Sequence, residues 1–307
     1  MTGCNLSRVE KTGEAELPLH YGKASEWLLS RMRRLAENIV VLIIDEYGGD
    51  ELLRKLSNPG WFQALGCVLG YDWHSSGVTT IVTGVLKSVV RPEYGIAIAG
   101  GKGKQSLRTP YEIKDIGRTF DFSDEQVNGL VYASRMSAKV DSTAIQAGYD
   151  LYHHAFFVSA AGKWVVVQQG MDTANRTARR YHWFSEHVRS FVNQPHDGII
   201  GDIIKENVLD MTARERENSQ KVSLDLVKDG IGELKNSVSL LKSQSQKTLR
   251  EWIPDLSGTE PRPRFRNAEL MVMPRTINWD ALKSAYEVQP GNYEELLALR
   301  GVGRATV

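Results

Sequence analysis

Histidines and carboxylates fall together in the middle of this sequence, and they are the residues most able to do chemistry. Asp141, Asp150 and the adjacent pair His153-His154 lie within one short stretch, followed by Gln168-Gln169 and by Arg179-Arg180-Tyr-His182. Carboxylates with an imidazole are the donors of a hard divalent cation such as Mg²⁺ or Mn²⁺, which activates water and neutralises charge on a scissile phosphate. Asp141, Asp150 and His154 are therefore the candidate metal ligands. His153 belongs to the same catalytic set, and His74 and His182 are placed near the phosphate. If Asp150 to Ser159 is extended, alternation puts Asp150, Tyr152, His154 and Phe156 on one face and His153 on the other with Leu151 and Phe157. One histidine of the pair then points into a site, or one is buried and hydrogen-bonded while the other is exposed. A carboxylate followed across a hairpin by Gln168-Gln169 resembles the restriction-type nuclease core, although Gly170 stands where that core carries a lysine.

Other peptides suit an anionic partner. Asp72-Trp-His74-Ser75-Ser76-Gly77 precedes a run of β-branched residues. It reads either as a phosphate site at a helix N-terminus or as a serine cap. Gly100-Gly-Lys102-Gly-Lys104 lacks the spacing of an ATP-binding loop and reads as a mobile basic loop that touches DNA. Arg179 and Arg180 with His182 form either a phosphate clamp or a solvated turn. Near the end, a leucine-bearing segment runs into Arg300-Gly301-Val302-Gly303-Arg304. That pattern resembles a helix-hairpin-helix: Gly301, Val302 and Gly303 make the turn, and the amides that follow, with Arg304, face a phosphate without reading bases. An ordinary glycine-capped helix end is the alternative. The second helix would only begin at Val307, so the motif reads as cut short there. His20, His187 and His196 read as ordinary packing or surface residues.

Taken in order, six polar peptides resemble an archaeal and bacterial family catalogued as domain of unknown function 763. They include Gly70-Tyr-Asp-Trp-His-Ser-Ser-Gly-Val-Thr-Thr80 and Leu151-Tyr-His-His154, and the likeness covers nearly the whole chain. The resemblance implies a C-terminal helix-hairpin-helix and a DNA-processing or nuclease role. Members commonly read Gln-Asp-Gly-Tyr before the histidine pair, whereas this chain reads Gln146-Ala147-Gly148-Tyr149. Ala147 is then either an inactivating replacement or natural drift.

The elements that must position these groups indicate an α+β protein, mostly helical, with a small sheet built on a hairpin near 150–170. Ser25 caps a helix carrying Leu28, Met32, Leu35 and Ile39 at helical spacing. Short helices follow at 50–56 and 61–69. The stretch 75–90 favours helix over strand. Gly95 to Gly101 reads as a strand entering a glycine turn, 124–146 as one helix or two, and 211–249 as one long helical stretch. That last stretch either packs on the body or forms a coiled-coil seam in a homodimer, a reading weakened by Gly230 and Gly232. Pro254, Pro261 and Pro263 mark a linker. The division expected is a main domain 1–253, a linker 254–263 and a basic segment 264–307.

Composition narrows the classes further. The 307 residues are 41% hydrophobic and 24% charged, with a formal charge of +1. This is a globular protein without a uniformly basic coat, so any DNA contact must be local. Two cysteines, Cys4 and Cys67, cannot build a disulfide framework. With no signal peptide and no membrane-length apolar run, a cytoplasmic protein is expected. The leading expectation is a metal-dependent DNA nuclease or phosphodiesterase. The alternative is a DNA-binding or scaffolding protein with structural histidines. A glycosylase or lyase is a third, weaker reading, because no lysine–aspartate pairing sits beside the hairpin.

Overall fold

The computed structural model describes residues 12–14, 24–71, 76–201, 208–245 and 276–306. They divide into two compact units, Met1–Arg214 and Glu215–Val307.

The first unit is built on a six-stranded sheet. Its strands are β1 (Thr12–Glu14), β2 (Ile96–Lys102), β4 (Asp150–Ser159), β5 (Trp164–Asp172), β6 (Thr177–Phe184) and β7 (Gly198–Gly201). The order is β1-β7-β6-β5-β4-β2, with β1 parallel to β7 and every other neighbour antiparallel. A separate pair joins β3 (Ile145–Gln146) to β8 (Leu209–Asp210). The expected hairpin is present as β4 and β5. β6, however, occupies the stretch read as a clamp or solvated turn: Thr-Ala-Arg-Arg-Tyr-His-Trp-Phe is buried almost throughout. Two arginines and a histidine hid its strand character.

Helices cover both faces. α1 (Glu26–Tyr47), α2 (Gly49–Ser57), α3 (Pro59–Val68) and α4 (Gly77–Val89) share one core with Ala155, Phe157, Val165, Val167 and Phe184 of the sheet. Local chemistry sets their starts. The Ser25 hydroxyl accepts from the Leu28 amide at 3.3 Å, and Asn58 caps α3 ahead of Pro59. The opposite face is covered by α6 (Asp124–Lys139) and a π-helical turn, Val140–Ala144, that delivers the chain to β3. α6 begins with a reciprocal Ser123–Gln126 capping box. The stretch 124–146 is thus one helix, a π turn and a short strand. α5 (Thr109–Thr119) packs against β2 and α6.

The second unit contains α7 (Glu217–Lys228), α8 (Ile231–Ser245), α9 (Trp279–Val288) and α10 (Tyr293–Ala298). The long helix expected over 211–249 is broken, because Gly230 takes φ +110° between α7 and α8. α7 and α8 pack with α9 and α10, so the compact units divide before the proline-rich stretch and not within it. The expected linker 254–263 lies outside the described residues. Among the described residues, no helix is long and apolar enough to cross a membrane.

Candidate functional site

The sheet register decides which polar side chains meet. His154 pairs with Gln168 and Gln168 with Tyr181, whereas His153 pairs with Gln169 and Gln169 with Arg180. Neighbouring residues of a strand point to opposite faces. The histidine pair is therefore divided between two buried networks.

Beneath α6, Gln168 donates its amide to the Ser137 carbonyl at 3.0 Å and to Asp141. Its amide oxygen must then accept, at 2.7 Å, from Nδ1–H of His154. Nε2 of His154 is left to accept from the Ser134 hydroxyl at 3.0 Å. Asp141 is fully buried and also accepts from Nε1 of Trp183 at 2.9 Å and from Nε2 of His196. Burial lowers the His154 pKa, against the raising effect of Gln168 and Asp141. Nearby on this face the Arg179 guanidinium lies 4.6 Å from the Tyr149 ring and donates to the Tyr181 hydroxyl. Among the described residues no carboxylate forms an ion pair with it. Burial, and then Asp141, push the Tyr181 pKa up.

Against α2, α3 and α4, Arg180 is fully buried. Its Nε donates to Nε2 of His182 at 2.9 Å, one terminal nitrogen reaches Gln63 at 2.9 Å, and its guanidinium lies 4.7 Å from the Phe62 ring. His182 must then carry its proton on Nδ1, which donates to the Leu56 carbonyl at 2.9 Å. Burial, reinforced by Arg180, lowers the His182 pKa well below its usual value. Thr83 donates to the Thr79 carbonyl at 2.7 Å, so the 2.9 Å contact with His153 runs from His153 Nε2–H to the threonine oxygen. Nδ1 of His153 then carries a lone pair with no partner among the described residues. Burial, with lesser contributions from His154 and Lys102, lowers its pKa to about 3.

A register shift between Leu151 and His153 alters the expected alternation. Tyr152 leaves the His154 face, and its hydroxyl meets Gln169 and Ser76. Asp150 pairs with Met171, so it lies on the His153 face and is exposed. Asp141, Asp150 and His154 are accordingly not brought together. Both nitrogens of His154 and both oxygens of Asp141 are already hydrogen-bonded. These three residues do not fit a divalent cation, and among the described residues no group of three or more His, Cys, Asp or Glu is placed to hold one. Arg179 and Arg180 cannot grip one phosphate either, because they point to opposite faces of β6.

Convergence does occur at the free edge of β2. Lys102 is the last residue of that strand and pairs with His153. Its ammonium lies 6.0 Å from the Tyr152 ring. The Gln169 amide links Tyr152 to the Ser76 carbonyl at the start of α4. Lys104 follows in a 3-10 helix, Gly103–Arg108, and both lysines are exposed. The expected mobile loop is thus ordered strand and helix. Gly100 N–H and the Lys87 ammonium, which also donates to the Gly100 carbonyl, both donate to Glu112. Ser76 does not cap α4 with its side chain. His74 and Ser75 lie outside the described residues.

In the second unit Asn278 caps α9 through Ala281 N–H and donates to the Gly301 carbonyl at 3.3 Å. Gly301 has φ +88°, Val302 is buried, and a side chain at Gly303 would meet open space. Residues 303–306 form a turn in which the Thr306 hydroxyl accepts from Gly303 N–H. Arg304 is half-buried. Ala147, buried, lies between β3 and β4 beside Gly148 at φ +81°.

Sequence reasoning set aside His196, which the structure places on Asp141, and His187, whose Nδ1 meets Asp197. The first pair closes over β3 to β6 and the second within the β6–β7 connection, and nothing in the local spacing announces either. Gln63 was likewise invisible, being an ordinary polar residue inside an apolar helix.

No curated protein and no solved structure matches the chain. The model of a family described as Protein of unknown function (DUF763) matches residues 13–307, and the chain belongs to that family.

Proposed function

We propose that this protein binds the sugar–phosphate backbone of DNA, with the histidine–carboxylate networks serving as scaffold. The observation that carries the reading is the convergence of Lys102, Lys104, Tyr152 and the start of α4 at one sheet edge. Ammonium groups and a helix N-terminus suit phosphate oxygens, and a half-buried tyrosine offers a ring to the sugar or base. The turn Gly301-Val302-Gly303 supports a second contact. Its valine anchors it inward while Gly303 keeps the outer backbone clear of side chains. Such contacts position a duplex and do not read its sequence.

Fluorescence anisotropy with a labelled duplex over a salt series tests this. Binding should weaken linearly in log salt. Lys102→Ala and Lys104→Ala should each lower affinity for all sequences alike and reduce the slope by about one. Unchanged affinity and slope in both variants would reject the surface.

A second reading, hydrolysis of the bound backbone, is favoured by the buried Arg179, whose guanidinium among the described residues has no carboxylate partner and would suit an oxyanion. The chain, or its Ala147→Asp variant, should then cleave labelled DNA whether or not Mn²⁺ is added. Intact DNA in both cases, whether single-stranded, duplex or branched, would dismiss this second reading and leave the first standing.

A further inference from the structure

α1 buries Met32, Ala36, Val40 and Ile43 and turns a second stripe outward. Trp27, Leu35 and Leu42 recur there at helical spacing and are 67%, 40% and 58% exposed. Single exposed apolar residues are ordinary, but three on one stripe of a 22-residue helix are not.

At the C-terminal end of α1 the charges beside them oppose the helix dipole. Arg31 and Arg34 stand toward the N-terminus, Asp45 and Glu46 toward the C-terminus, and the last turn carries no base. A helix alone prefers bases in its last turn, whereas the first turn of α1 already holds the acid that suits it, Glu26. Among the described residues, no ion pair relieves Arg34, Asp45 or Glu46, and Arg31 rests only on the Trp27 ring at 5.1 Å.

We propose that α1 is a self-association surface that pairs antiparallel with α1 of a second copy of this chain. A twofold axis near Asn38 sets Leu35 against the partner's Leu42. Arg31 and Arg34 lie on the flank that also carries Asp45, and antiparallel pairing brings this basic half of the helix against the partner's Asp45 and the partner's Glu46. The arrangement is isologous, so each contact occurs twice. It covers the apolar stripe and supplies to the C-terminal end of the helix the basic charge its dipole favours. A helix of this length spans about 33 Å. One helix pair lies at the small end of stable interfaces, so the dimer should be reversible and form at micromolar concentrations.

Sedimentation velocity of the whole chain over a concentration series reads the result. The parent should pass from monomer to dimer, with weaker association at high salt. Leu35→Glu with Leu42→Glu should hold it monomeric. Arg31→Glu with Arg34→Glu should do so by repulsion, as should Asp45→Lys with Glu46→Lys. The last two variants, mixed in equal amounts, should pair with each other while neither pairs alone. All these positions are exposed, and circular dichroism confirms that the variants fold. A parent that stays monomeric overturns the proposal. So does a dimer indifferent to the leucine changes, or a failure of the two charge variants to pair on mixing.

Discussion

The neutral imidazole of His153 ties the stability of the protein to pH. Its pKa falls to about 3 in the folded chain against 6.5 for the ordinary side chain. Between those values the unfolded state binds the extra proton, so stability is complete above the upper value and is lost as pH falls through the window. At pH 5 the loss from this one residue is about 2 kcal/mol. His154 and His182 shift in the same direction and add to it. His153→Gln should therefore narrow the difference in urea stability between pH 7.5 and pH 5 by about 2 kcal/mol. If parent and variant lose the same amount, the imidazole is not titrating as its burial implies.

At the scale of elements, the close approach of β2 to β4 is the tightest constraint. Gly100 has φ +85°, and a Cβ there would meet the His154 carbonyl oxygen at 2.2 Å and the Thr109 hydroxyl at 2.6 Å. Neither is the far end of a flexible side chain. Gly100→Ala should cost about 2–4 kcal/mol in chemical denaturation, since strained backbone and overpacking act together. A cost below about 0.5 kcal/mol, the range of ordinary surface changes, would mean that the strands part easily. This glycine was legible in the sequence as a turn, but its reason, a neighbouring strand's carbonyl, was not. The helix start at Ser25 was readable because a cap is local. The shift at Tyr152 was not, because a single extra residue leaves composition unchanged and reverses the face of what precedes it. The same shift moves Asp150 to the other face, away from His154 and Asp141, with which its spacing had grouped it. β6 was missed because its buried arginine is satisfied by residues far away in sequence, among them Gln63 and Thr79.

For the whole molecule, the division at 214/215 changes how the chain should be cut. Leu224 and Val227 of α7 are buried, and α7 packs with α9 and α10. Deleting 264–307 removes that cover and should yield an aggregation-prone product that binds hydrophobic dyes. Deleting 215–307 should leave a soluble first unit with one cooperative thermal transition. A clean, soluble product from the first deletion would show that α7 and α8 stand without α9 and α10. With a formal charge of +1, no broad field is available to steer an encounter with a polyanion.

β1 gives the first unit a schedule as well as a shape. Thr12 pairs with Ile199, so the first strand of this unit to be synthesised has its partner among the last. At roughly 5–20 residues per second, synthesis keeps the two apart for about ten seconds or longer. The antiparallel ribbon from β4 to β6 can close in that interval through neighbouring turns, whereas the parallel edge cannot. The nascent chain therefore carries β1 unpaired until β7 is made, and the sheet is sealed by the strand that was made first.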